Sequence, residues 1–77
     1  MPEQVPQKLK DLPPTAKLVY KILEYEGKLT QQELCEETFL AQRTVYNALR
    51  DLEEIGAIDS YPNPEDLRQT MYFICSK

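Results

Sequence analysis

Residues 42–58 of the chain read QRTVYNALRDLEEIGAI, and this stretch decides the fold. Its apolar residues recur at intervals of three and four, as they do on the buried face of a helix. This row comprises Val45, Ala48, Leu49, Leu52 and Ile55. The period changes after the glycine at position 56, which is a residue typical of helix ends. The stretch therefore predicts a helix over residues 42–55, followed by a strand.

Two more helices are predicted upstream of this stretch. The first occupies residues 13–27, because two prolines open it and a glycine ends it. Its buried row comprises Ala16, Val19, Tyr20 and Leu23. The second helix starts within residues 29–33, where Thr30 and Glu33 have the spacing of a capping box, and it ends near Thr38.

A β-hairpin is predicted downstream of the third helix. Residues 57–61 form its first strand, and residues 62–67 are too rich in turn-forming residues to continue it. Residues 69–74 carry β-favouring side chains and form the second strand. Three helices and a C-terminal hairpin give an α+β chain with the pattern of a winged helix-turn-helix, in which the hairpin is the wing.

Two motifs strengthen this interpretation through a family resemblance. Residues 43–58 closely resemble the recognition helix and first wing strand of MarR-type transcriptional regulators, and Asp66-Leu67-Arg68 resembles the D-x-R motif at their wing tip. The opening residues 12–20 resemble small archaeal members. The resemblance spans residues 12–74 and implies sequence-specific binding of double-stranded DNA, with helix 42–55 in the major groove and wing 57–74 at the minor groove. It also implies that Asp66 orients an arginine.

The chain departs from that family in two places. Residues 1–12 form an N-terminal arm and residues 13–77 the DNA-binding domain, which leaves too little chain for most of the flanking helices that form the dimer in MarR proteins. No small-molecule effector is predicted for so short a chain. Ala41 stands where a serine or threonine often caps the recognition helix, so the cap comes from Thr38, from solvent, or is absent.

The candidate DNA-binding residues lie opposite the buried row of the third helix. Four polar or aromatic residues share that face at helical spacing: Arg43, Tyr46, Asn47 and Arg50. Arginine can bond both acceptors of a guanine edge, and asparagine can do the same on adenine. Gln42 and Thr44 flank the face near the helix N-terminus, where phosphate contacts are favoured. Arg68 on the wing completes the set. A solvated polar face is the alternative interpretation.

The net charge of −4 is unusual for a DNA-binding protein. Residues 40–50 contain two arginines and no acid, and Arg50 could pair with Glu54. Because few phosphates can be neutralised, we expect weak to moderate affinity for each subunit. The acidic balance also supports an alternative function, as a protein-interaction winged helix of a transcription or replication complex.

The first helix carries a second apolar row on its other side, formed by Leu18, Ile22 and Tyr25. A helix that is apolar on two sides needs two partners. The arm could supply one of them through its own apolar residues, Val5, Leu9 and Leu12. A homodimer interface is the other explanation, and both can hold together.

Composition argues against several other classes of protein. The chain has no histidine, so we expect no histidine base, no zinc site, no cofactor and no enzymatic activity. Cys35 and Cys75 are expected to be buried or partly buried thiols of a cytoplasmic protein. The N-terminus lacks the apolar segment of a signal peptide, and no apolar run is long enough to span a membrane.

Overall fold

A computed structural model describes residues 7–75 of the chain. Three α-helices pack together, and a small antiparallel sheet with the strand order β1-β3-β2 lies against them. A short 3₁₀ helix precedes them. The elements in chain order are the 3₁₀ helix Gln7–Asp11, α1 Pro14–Glu26, β1 Lys28–Thr30, α2 Gln31–Thr38, α3 Gln42–Glu54, β2 Ile58–Pro62 and β3 Thr70–Ile74.

The predicted helical rows form the core. All four residues of the α1 row and the first four of the α3 row are buried, and Leu34 of α2 is buried in the same cluster. The 3₁₀ helix contributes Leu9, which is also buried, while Leu12 is partly buried against the same cluster. The part of the predicted arm from Gln7 onward is therefore packed on the domain, whereas Val5 lies outside the described residues.

The strand β1 was not predicted, because Leu29 was assigned to the start of the second helix. Lys28 to Thr30 pair instead with β3, and Leu29 lies opposite Tyr72. A three-residue strand is too short to show a period of two, and its partner lies more than forty positions away in the sequence.

The predicted capping box of α2 is confirmed. Thr30 Oγ1 accepts a hydrogen bond from Glu33 N at 3.1 Å, and Thr30 N donates to Glu33 Oε1 at 2.9 Å.

The first wing strand extends one residue further than predicted, since Pro62 belongs to β2 and not to the turn. The odd-numbered residues along β2 form the main-chain hydrogen bonds to β3. This follows from the two flanking hydrogen bonds, from Cys75 N to Ala57 O and from Asn63 N to Gln69 O. Pro62 therefore faces the free edge, where no N–H is needed. Ser60, on the same edge, donates its N–H to Asp59 Oδ1 at 2.8 Å. This edge has few free donors for another strand.

The two cysteines differ in their exposure. Cys35 is partly buried on α2 and packs against the core, as expected. Cys75 is exposed just after β3, so its predicted burial was wrong.

None of the described helices is both long and apolar enough to cross a membrane. Residues 7–75 also hold no group of three or more acidic or cysteine side chains arranged to bind a metal ion.

Candidate nucleic-acid interface

The outer face of α3 carries the predicted base-reading residues. The inner face is fixed by the buried row, which packs against α1 and α2. Because a helix turns by about 100° per residue, the residues between the buried positions point away from the core. Arg43, Asn47 and Arg50 are exposed, and Tyr46 is 49% exposed beside them. The helix thus presents two arginines, an asparagine and a phenol on one solvent-facing side.

The N-terminus of α3 is open. The N-cap is Ala41, which makes no side-chain hydrogen bond to the first turn. Thr38, one of the predicted alternatives, does not supply the cap. Its Oγ1 donates to Leu34 O at 2.7 Å and accepts from Leu40 N at 3.2 Å, so the hydroxyl is occupied within the turn. The positive end of the helix dipole is therefore free of any protein side-chain cap.

The two flanking residues of the face differ in exposure. Gln42 is exposed, and its carbonyl oxygen accepts a hydrogen bond from Gln31 Nε2 at 3.3 Å. Thr44 is half-buried. Both lie in the first turn of α3, next to the open N-terminus. This position suits contacts with an anion.

The three arginines of the chain are divided between α3 and the wing, whereas all six lysines lie elsewhere. The suggested pair between Arg50 and Glu54 does not form among the described residues. An arginine that precedes its acid by four residues is the weaker orientation on a helix. The Arg50 guanidinium thus has no acidic partner on α3.

The wing tip holds Arg68 in a fixed orientation. Its Nε donates to Asp66 Oδ1 at 3.1 Å, its Nη2 donates to Asp66 Oδ2 at 3.3 Å, and its backbone N–H also reaches Oδ1. These hydrogen bonds, first from the side chain and then from the backbone of Arg68, lower the pKa of Asp66 below its ordinary value. The Arg68 side chain remains 90% exposed. A bidentate pair thus aligns a guanidinium that still faces solvent.

The turn beneath this pair is held by its own hydrogen bonds. Asp66 N donates to Asn63 O at 3.1 Å, and Gln69 N donates to Asp66 O at 2.9 Å. Asn63 Nδ2 adds a bond to Gln69 Oε1 at 3.2 Å, and Asn63 Oδ1 accepts from Glu65 N at 3.0 Å. The tip of the wing is therefore an ordered turn.

The two wing tyrosines pack within the domain. Tyr61 contacts Phe73 with ring centroids 5.7 Å apart, and Lys28 Nζ lies 5.7 Å from the Tyr61 ring centroid. Tyr72 lies on the other face of the sheet, packed against the core. Burial, together with nearby Glu53 and Tyr46, raises the pKa of Tyr72.

The three residues of the second apolar row of α1 differ in their exposure. Leu18 is 41% exposed and Tyr25 is 87% exposed, whereas Ile22 is partly buried against the core. Leu9 lines a cavity of about 260 Å³ with Tyr20 and other residues of α1, and neither Leu18 nor Tyr25 lines it. Within the described residues, the arm therefore leaves Leu18 and Tyr25 uncovered.

Two exposed apolar residues next to the predicted DNA-binding residues were not predicted as part of the site. Phe39, in the turn between α2 and α3, is 93% exposed, and Leu67 beside Arg68 is 76% exposed. Neither belongs to an apolar row with helical or strand period, so the pattern gave no reason to select them. The conformation of the turn, which decides where Phe39 points, is not visible in the sequence.

Comparisons with known proteins agree with this architecture. A family model described as winged helix-turn-helix DNA-binding matches residues 12–59. No curated protein sequence matches the chain. Among solved structures, a mutant of MarR from E. coli complexed with operator DNA aligns with a TM-score of 0.79 and 19% identity, covering 88% of this chain and 49% of that chain.

Two further solved structures extend the comparison. A mutant of MepR from S. aureus bound to an oligodeoxyribonucleotide aligns with a TM-score of 0.77 and 27% identity, covering 91% of this chain and 54% of that one. The PcaV transcriptional regulator from Streptomyces coelicolor, in complex with its natural ligand, aligns with a TM-score of 0.81 and 21% identity, covering 86% of this chain and 47% of that one. The chain spans about half the length of the structures it resembles.

These findings confirm the predicted fold. The matched residues 12–59 make up more than half of the chain and reach from the start of α1 into β2. The structural alignments cover 86% to 91% of the chain, so they extend the likeness to the wing. Three helices, a sheet and an ordered wing therefore assign this chain to the winged helix-turn-helix DNA-binding family.

Proposed function

We propose that the chain binds double-stranded DNA in a sequence-specific manner as a small transcriptional regulator. The observation that carries this proposal is the placement of its arginines. Arg43 and Arg50 lie on the exposed face of α3, and Arg68 is held at the wing tip. A helix of this diameter fits the major groove, and a guanidinium suits a narrow minor groove, where negative potential is concentrated.

Each residue of the surface has a role in this arrangement. Arg43 and Asn47 lie in the N-terminal half of α3, which is the part of a recognition helix that reads base edges. Tyr46 and Arg50 lie on the same exposed face of α3 and would line the groove beside them. The open helix N-terminus, with Gln42 and Thr44, receives a phosphate. The bidentate contact with Asp66 limits the rotamers of Arg68, so less entropy is lost when Arg68 inserts into the groove.

The relatives in fold support this function. One of the MarR structures contains operator DNA, and one of the MepR structures contains an oligodeoxyribonucleotide. These complexes belong to chains about twice as long as this one, so they support the mode of binding and leave the assembly to be tested.

We further propose that the chain acts as a homodimer through α1. Leu18 and Tyr25 are exposed apolar residues on one side of this helix, and the described part of the arm does not cover them. Two linked subunits on two half-sites raise the overall affinity without new contacts in each subunit. We also propose a cytoplasmic DNA-binding role without enzymatic activity. Sedimentation at tens of micromolar tests the dimer, and a mass equal to one chain, with and without DNA, contradicts it.

DNA selection tests the main proposal. Duplexes bound by the chain are selected from a random pool, and the preferred duplex is titrated by fluorescence anisotropy. Arg43→Ala and Asn47→Ala should each weaken binding by about 1–3 kcal/mol and relax the preference at one base pair. Lys10→Ala, which removes an exposed cation from the 3₁₀ helix, is the control and should bind like the wild type. Failure to enrich any duplex would favour the protein-interaction alternative.

A further inference from the structure

Phe39 combines two unfavourable features. Its side chain is 93% exposed, and its backbone has φ 61° and ψ 21°, in the left-handed region. Among the described residues it is the one non-glycine residue with a positive φ. Side chains with a Cβ are disfavoured in this region, and an exposed ring gains nothing from the core. This conformation ends α2, where Phe39 is the C-cap and where glycine or asparagine is the usual residue, so the end of the helix does not account for a phenylalanine at this position.

The turn holds Phe39 firmly in this position. Phe39 N donates to Cys35 O at 2.9 Å, and Leu40 N donates to Thr38 Oγ1 at 3.2 Å. Leu40 packs against the core directly after Phe39. The backbone is therefore fixed on both sides of Phe39, and the exposed ring is attached to an ordered turn.

The position of the turn suggests what the ring contacts. Phe39 lies two residues before Ala41, the N-cap of α3, and so precedes the end of the helix that reads bases in the proposed complex. The apolar group that DNA offers in the major groove is the C5-methyl of thymine, and phenylalanine is among the side chains that contact it. This inference rests on the proposed function, which places α3 in that groove.

We propose that Phe39 is a specificity-determining residue that packs against the C5-methyl group of a thymine in the major groove. The base pair lies beside those read by Arg43 and Asn47, on the side of the α3 N-terminus. Because the contact is apolar, it contributes affinity that does not depend on salt. Such a contact is useful to a chain that has only three arginines on its DNA-facing surface.

A matched set of substitutions separates the role of the ring from the role of the backbone. Phe39→Ala and Phe39→Gly both remove the ring and should weaken binding of the selected duplex about tenfold. Phe39→Tyr retains the ring and should bind like the wild type. Phe39→Gly should also melt at a higher temperature than Phe39→Ala, since glycine adopts a positive φ without a steric penalty.

The thymine itself is tested by replacing each thymine of the duplex in turn with deoxyuridine, which lacks the methyl group. At one position this replacement should weaken wild-type binding about fourfold, the value for one buried methyl-sized group. The same replacement should have no effect on Phe39→Ala. The salt dependence of binding should be the same for both proteins.

The outcomes distinguish this inference from the proposed function. If Arg43→Ala weakens binding while all Phe39 variants bind like the wild type, the function stands and the inference is wrong. The inference is also wrong if Phe39→Ala weakens binding but no thymine shows the coupled loss, a result that would assign the ring to another partner. If no duplex is selected at all, the proposed function itself fails.

Discussion

Replacing Arg68 with alanine tests the wing through the salt dependence of DNA binding. The logarithm of the binding constant falls with the logarithm of salt concentration, with a slope of about −0.9 for each phosphate neutralised. None of the lysines among residues 7–75 belongs to α3 or to the wing tip, so the upper limit for one subunit is calculated from the three arginines. That limit is a slope of about −2.7, or a loss of about 40-fold in affinity between 50 and 200 mM salt.

The Arg68→Ala variant removes one of these charges. Its slope should be about −1.8 for one subunit, so the same change in salt should weaken its binding only about 12-fold. The difference between variant and wild type should therefore be largest at low salt and shrink about 3.5-fold by 200 mM. For a dimer that engages both wings, the difference in slope should be about twice as large.

Fluorescence anisotropy with a labelled duplex at four or five salt concentrations measures both slopes. The fold should be unaffected, because the Arg68 side chain is 90% exposed and its hydrogen bonds within the described residues are made to Asp66. Lys10→Ala serves as the matched control, since it removes a cation without changing the wing. If the melting temperature, affinity and slope of Arg68→Ala all equal those of the wild type, the wing does not contact DNA.

Three further predictions concern the domain itself. Leu52→Ala should destabilise the fold by about 2–5 kcal/mol, measured by urea unfolding, because Leu52 of α3 is fully buried in the hydrophobic core, and a loss below about 1 kcal/mol would contradict that position. Thr30→Ala should cost about 1 kcal/mol because it removes the cap of α2, while Gln32→Ala on the exposed side of that helix should be nearly neutral in the same assay. Tyr72 has a raised pKa in the folded state, so its contribution to stability is complete below the pKa of the unfolded chain and is lost as the pH rises through the folded pKa. In thermal melts above pH 10, the wild type should therefore lose stability with pH more steeply than Tyr72→Phe. Equal slopes of stability against pH for the two proteins would refute this prediction.

The sequence predicted those parts of the fold that depend on local pattern. Helix rows, terminal glycines and the capping box each act within four or five residues, so they are visible without the tertiary structure. The strand β1 was missed because its partner β3 is distant in the sequence and its three residues show no period. Pro62 was predicted in the turn because residues 62–67 are rich in turn-forming residues, and only the sheet order shows that β2 lies at an edge, where a proline is tolerated.

The candidate site was predictable to a similar extent. The outer face of α3 follows from the position of the buried row, because the two are related by the geometry of one helix. The conformation of Phe39 does not follow from any local preference, since phenylalanine ordinarily avoids a positive φ. The exposure of Cys75 also does not follow from the sequence pattern: Cys75 comes directly after the last residue of β3, Ile74, and its thiol is exposed although its N–H still bonds to Ala57 O.

The distribution of charge reconciles an acidic protein with a DNA-binding surface. Acids are absent between Leu40 and Arg50 and follow at once in the second half of α3, where Glu53 accepts a hydrogen bond from Ser60 Oγ on β2. The acidic half of α3 is thus directed toward the base of the wing. Because charges more than about 8–10 Å apart are largely screened at physiological salt, acids in more distant parts of the domain weaken the attraction of DNA less than the net charge suggests. They do oppose long-range steering at low salt, where screening is weak. In the proposed complex we therefore expect slow association with DNA, and a discrimination between sites that depends on close contacts from Arg43, Asn47 and the Phe39 ring.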